Sequence, residues 1–170
     1  MKKIAIIKDG YSDFLILKSF ISSTFKHEQN IYLEEKNFID IKGLKIGEGI
    51  EKYLDNANKD NEVSVNGKHA IKLKNSIINV LYASSNNENF NNKDILILNG
   101  DAEHKLIKHE NFFEDWVRKL YSIIYLSIDE FYEKMNFRGY TYQNLPIIIP
   151  LILFPSIANG GYGCKFKAYS

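Results

Sequence analysis

Two short runs of aliphatic residues, IAII at 4–7 and ILIL at 95–98, limit what this chain can fold into more than any other feature. Neither run alternates apolar with polar residues, as a strand with one wet face would. A run of four aliphatics bounded by turn residues fits a strand covered on both faces, the environment of central strands in parallel sheets. Each ends at an acid and a glycine: Asp9-Gly10 closes the first and Gly100-Asp101 the second. The segments between them carry helical periodicity. Ser12-Asp13 is placed to cap a helix over 14–25 whose face includes Leu15, Leu17 or Lys18, Phe20, Ile21 and Phe25.

Further along, NFIDIKG at 37–43 reads as a second strand, followed by a helix from Gly49 to about Asn58, with Gly47 and Gly49 marking its start. In NKDNEVSVNGKHAIKL, the dipeptide Asn66-Gly67 between EVSV and HAIKL predicts a small hairpin insertion. A helix is expected over 74–84, then an Asn-rich loop, then the strand at 95–98. HENFFEDWVRKLYSIIYLSIDEFYEKM repeats aromatic and aliphatic residues at three and four, the pattern of one long helix or two short ones. The run LPIIIPLILFPSIA, interrupted by Pro146, Pro150 and Pro155, reads as a buried strand and is too short for a membrane span. Strands alternating with helices predict an α/β fold with a mostly parallel sheet, and 170 residues suit one domain over 1–170.

Composition removes several classes of function. With 22 basic against 21 acidic residues, the chain has no general attraction for nucleic acid or an acidic membrane surface, so any phosphate-binding surface must be local. A single cysteine, Cys164, excludes an intramolecular disulfide framework and fits a reducing cytoplasm. His27, His69, His104 and His109 have no zinc-ligand spacing, and neither a P-loop nor a GxGxxG motif occurs.

The acids at the strand ends are what remains. In an open parallel sheet, ligands bind beyond the carboxyl ends of the strands. If the strands at 4–7 and 95–98 are neighbours, Asp9, Asp13, Asp101 and Glu103 converge there. Clustered carboxylates repel unless a cation neutralises them, and Mg²⁺, with its preference for oxygen ligands, suits such a set.

The pair KDGYSD at 8–13 and NGDAE at 99–103 resembles the TOPRIM domain, in which an acid-Gly loop after the first strand faces an Asp-x-Asp motif after a later one. The resemblance covers the first 26 residues and about 94–105. It implies a Rossmann-like TOPRIM-type fold and a Mg²⁺- or Mn²⁺-dependent nuclease or phosphodiesterase acting on nucleic acid, in bacterial defence or another nucleic-acid transaction. Asp9, Asp101 and Glu103 are then the catalytic and metal-binding residues. Asp9 stands where the family has Glu and Glu103 where it has Asp; Asn99 is a second position that aligns with the first Asp of the motif. Ala158 brings no further acid to the site. These departures keep open a second reading, a TOPRIM-like module without catalysis that acts through a protein partner.

Overall fold

The computed structural model describes residues 3–60, 65–88, 90, 94–101 and 113–153. Four strands, β1 (Ile4–Ile7), β2 (Phe38–Ile41), β3 (Ile95–Asp101) and β4 (Ile147–Leu153), form one sheet in the order β2-β1-β3-β4. All three pairings are parallel. Ile4 pairs with Ile95 and Ile7 with Leu98, so the two aliphatic runs lie side by side at the centre, as their composition predicts. The connections carry the helices α1 (Tyr11–Gln29), α2 (Gly47–Asp60), α3 (Lys68–Ser85) and α4 (Phe113–Phe137). None of the helices among the described residues is long and apolar enough to cross a membrane.

Side-chain alternation sorts the core into two layers. Ala5, Ile7, Ile41, Leu96, Leu98 and Ile152 pack with α2, α3 and α4, through residues such as Ile50, Leu54, Ile77, Leu81, Leu120, Ile124 and Phe131. Ile4, Ile6 and Ile97 pack on the other face against Phe14 and Leu17 of α1. A constant hand of crossover requires this segregation. The step from β1 to β2 runs one way along the sheet, and the steps from β2 to β3 and from β3 to β4 run the other, so their helices fall on opposite faces.

Three sequence expectations change. The hairpin at Asn66-Gly67 does not form: Gly67, extended at φ −72° and ψ 167°, is the N-cap of α3, and HAIKL lies in that helix. Ala70, Leu73, Ile77, Ile78 and Leu81 are buried along it, so helical periodicity extending through Ser85 outweighs a local turn signal, while 61–64 lie outside the described residues. The cap of α1 is Gly10 rather than Ser12-Asp13, with Asp13 at the third helical position accepting the Gly10 N–H at 2.7 Å. Leu15 and Phe20, expected on its buried face, are exposed.

The run at 147–153 is a strand, but at the edge of the sheet, with Ile147 and Ile149 exposed on the α1 face. The N–H of Ile147 points inward to the carbonyl of Asp94, so those of even-numbered residues point outward. That outer row is closed. Pro146 and Pro150 have no N–H; Ile148 donates to the Tyr132 hydroxyl at 3.3 Å and Ile152 to that of Tyr121 at 3.4 Å. Tyr132 in turn donates to the Pro146 carbonyl at 2.6 Å, and burial raises its phenol pKa above the ordinary value.

Tyr132→Phe leaves both the Pro146 carbonyl and the Ile148 N–H without this partner, and should lower the unfolding free energy in urea by about 1–2 kcal/mol. Tyr121→Phe should cost less, about 0.5–1 kcal/mol. The raised phenol pKa of Tyr132 gives a contribution present below about pH 10 and lost as pH rises through the folded-state value. The Phe variant should lack that alkaline component.

Candidate functional site

β1 and β3 are neighbours whose outgoing chains leave for opposite faces, β1 into α1 and β3 toward α4. Such a switch point opens a crevice at the carboxyl ends of the strands. Extending the β1–β3 register by two residues beyond Ile7 and Leu98 sets Asp9 level with Gly100, one residue short of Asp101. Asp101 is the last residue of β3 and pairs with Leu153.

The carboxylate of Asp9 is held by α2. Ile46, whose carbonyl accepts the Ile50 N–H at 3.0 Å, occupies the cap position of that helix, and its side chain has no oxygen to offer the free N–H groups of the first turn. Asp9 Oδ1 supplies one from another strand, accepting the Gly47 N–H at 3.1 Å. The negative charge also complements the positive end of the helix dipole. A Cβ at position 47 would stand 2.1 Å from Asp9 Oδ2, so only glycine permits this contact. Gly100 answers a similar demand on β3: a Cβ there would meet Ile50 Cδ1 at 2.8 Å and Ile46 Cγ1 at 3.0 Å, and its absence lets the first turn of α2 lie on the strand end.

On the α1 face the carboxyl end of the sheet is polar. Lys8 forms an ion pair with Asp40 of β2, their side chains only 14% and 17% exposed, and its ammonium lies 4.9 Å from the Tyr11 ring centre and 5.2 Å from that of Phe14. Asp40 Oδ1 is buried without a hydrogen-bond partner. Asn99 is fully buried, and neither its Oδ1 nor its Nδ2 has a partner. Alternation along β3 puts Asn99 on the α1 face with Ile97, opposite to Leu98. A carboxamide desolvated in this way costs about 1–3 kcal/mol, so Asn99 is, among the described residues, a buried polar group at the sheet end left unsatisfied.

Of the acids expected from sequence, the structure brings Asp9 and the backbone of Asp101 to adjoining strand ends. Glu103 lies outside the described residues, as do His104 and Ala158. Asp13 does not join them, because its carboxylate caps α1. Among the described residues no group of three or more His, Cys, Asp and Glu is arranged to hold a metal ion. Lys8 and Asp40 were missed from sequence. Their signal is faint: Asp40 is the one charged residue within FIDI, and Lys8 follows a buried strand directly. No family model matches the chain, and neither the curated proteins nor the solved structures contain a match.

Gly47→Ala should push the Asp9 carboxylate off the helix end and cost about 1 kcal/mol, the usual worth of a helix cap. In an Asp9→Ala background the space is free, so the same glycine substitution should cost nothing. A double-mutant cycle measured by urea unfolding should give a coupling of about 1 kcal/mol; additive single effects would show that the contact does not exist in solution.

Proposed function

We propose that the crevice at the carboxyl ends of β1 and β3 binds Mg²⁺ or Mn²⁺ and that the chain is a metal-dependent phosphodiesterase acting on nucleic acid. The reading is supported by one observation: the strands that lead to Asp9 and Asp101 are central, parallel and adjacent, so acids far apart in sequence leave the sheet together at its switch point. The donors fit the ion. Carboxylate oxygens are the ligands a small hard cation prefers, and Asp9, Asp101 and Glu103 would hold it. A bound divalent ion supplies charge stabilisation for a phosphoryl oxygen and lowers the pKa of water.

The chain's own residues contribute orientation. The Gly47 N–H fixes the Asp9 carboxylate at one oxygen, which limits its rotation. Lys8 is committed to Asp40 and to two aromatic rings, so it stabilises the carboxyl end of the sheet rather than serving as a mobile phosphate clamp. A second reading, a module without catalysis that acts through a protein partner, draws on the same Asp9 contact: a carboxylate that caps α2 has a structural reason to be there whether or not a metal binds.

Two substitutions separate the readings. Asp101→Asn and Asp9→Asn keep side-chain shape and remove charge, and in Asp9→Asn the amide oxygen can still accept the Gly47 N–H. Calorimetric titration of the wild type with Mn²⁺ should show binding that both variants weaken. Cleavage of single- and double-stranded DNA and RNA should fall about 100-fold or more in Asp101→Asn, the scale of losing a group that stabilises developing charge. A wild type that binds neither ion and cuts none of these substrates leaves the partner-binding reading.

A further inference from the structure

The dipeptide Asn-Gly is chemically labile, because the amide nitrogen after the asparagine can attack the side-chain carboxamide and glycine has no side chain to obstruct it. The chain holds it three times, at Asn66-Gly67, Asn99-Gly100 and Asn159-Gly160, and the last lies outside the described residues. The other two differ in exposure and in backbone setting. Asn99 is fully buried within β3, where it and Gly100 pair with Leu151 and Ile152 of β4. Water is excluded there, and the ladder holds the backbone extended. Asn66 is exposed, in a bend that leads into Gly67, the N-cap of α3.

We propose that Asn66 is a site of spontaneous deamidation, a slow modification that places a negative charge at the start of α3. The Gly67 nitrogen loses its proton to solvent and bonds to Asn66 Cγ; the Cγ–Nδ2 bond breaks and ammonia leaves, closing a cyclic imide. Water then opens the ring. Cleavage of the bond from nitrogen to Cγ gives aspartate. Cleavage of the bond from nitrogen to the backbone carbonyl gives isoaspartate, in which the main chain runs through Cβ and Cγ. The setting favours the first step. Gly67 stands at the positive end of an 18-residue helix that has no acid in its first turn and no side-chain cap, and Lys68 follows directly. That positive end stabilises the negative charge that develops on the nitrogen and on the carboxamide oxygen during the attack.

The two products act on α3 in opposite directions. Aspartate at 66 adds the anion that the helix end lacks. Isoaspartate adds the same charge but inserts one more backbone atom between two anchored points: Val65, packed against the core, and α3, fixed by the buried Ala70 and Leu73. The extra atom must displace Val65 or unwind the first turn. Either product takes the formal net charge from +1 to zero, so converted copies separate by charge. The reaction involves none of the acids at the strand ends, so the proposal stands whether or not a metal binds there.

The full chain is incubated at physiological temperature and mildly alkaline pH, and then mapped by peptide mass spectrometry. Asn66 should exchange its side-chain NH₂ for OH, split between aspartate and isoaspartate, while a more acidic species grows in parallel on isoelectric focusing. Asn99 should convert more slowly by on the order of 1,000-fold, because ring closure there waits for the rare opened chain. In urea the two sites should convert at similar rates, since both are then exposed Asn-Gly pairs. Gly67→Ala should suppress the change at 66 and leave the fold intact, because a β-carbon obstructs the attack while φ −72° is open to alanine. The deamidated fraction should melt below Asn66→Asp, which has the charge without the extra backbone atom; equal melting overturns the effect assigned to that atom. The proposal fails if Asn66 stays intact in the folded chain while the urea-unfolded chain converts there. It fails equally if Asn99 converts as fast as Asn66 in the folded chain, or if Gly67→Ala converts at 66 as fast as the wild type.

Discussion

The pairing of β1 with β3 is the contact on which the other layers depend. Ile4 to Ile7 are all buried, flanked by a strand on each side and by helices above and below. A strand in that position has no polar escape: each backbone group must find a ladder partner and each side chain a packed neighbour. Once β1 is so enclosed, the direction of every crossover is constrained, α1 to one face and α2, α3 and α4 to the other. The crevice at the strand ends is therefore a consequence of sheet order. Its acids inherit their proximity from aliphatic packing.

The central strands were legible in the sequence because burial on both faces leaves no alternation to misread, and IAII and ILIL have little other use. The edge strand was harder. IIIPLIL has the same unbroken apolar character as a central strand, yet Ile147 and Ile149 face outward, and its position is disclosed only by Pro146 and Pro150, which a central strand would not tolerate. The misread hairpin has a related cause. Asn66-Gly67 is a strong turn signal over two residues, but helix formation is cooperative, and Gly67 in extended conformation starts α3 as well as it would close a turn.

At the candidate site the sequence disclosed which strand ends carry acids and missed what those acids touch. Nothing local to KDGYSD says that Asp9 will cap a helix beginning at Gly47; the missing information is in LKIGEG, a helix start without a capping side chain of its own. A helix that opens on Ile46 and Gly47 needs an acceptor from elsewhere. The strong alternatives at a turn, capping and metal binding, use the same carboxylate, and only the partner segment distinguishes them. Asn99 was seen as one alignment choice for the acid motif, but its burial without a partner depends on the strands and helix around it, which no local pattern encodes.

The two long sides of the sheet have been treated differently, and this bears on how the molecule can associate. At β4, every outward N–H from 146 to 152 is either absent or accepted by a tyrosine of α4, a local arrangement that suppresses strand addition without adding charge. At α1, by contrast, an uncharged apolar stripe is left open over two turns, between an acid at one end and bases at the other. Closing an edge limits association that is indiscriminate, because backbone groups pair with any strand.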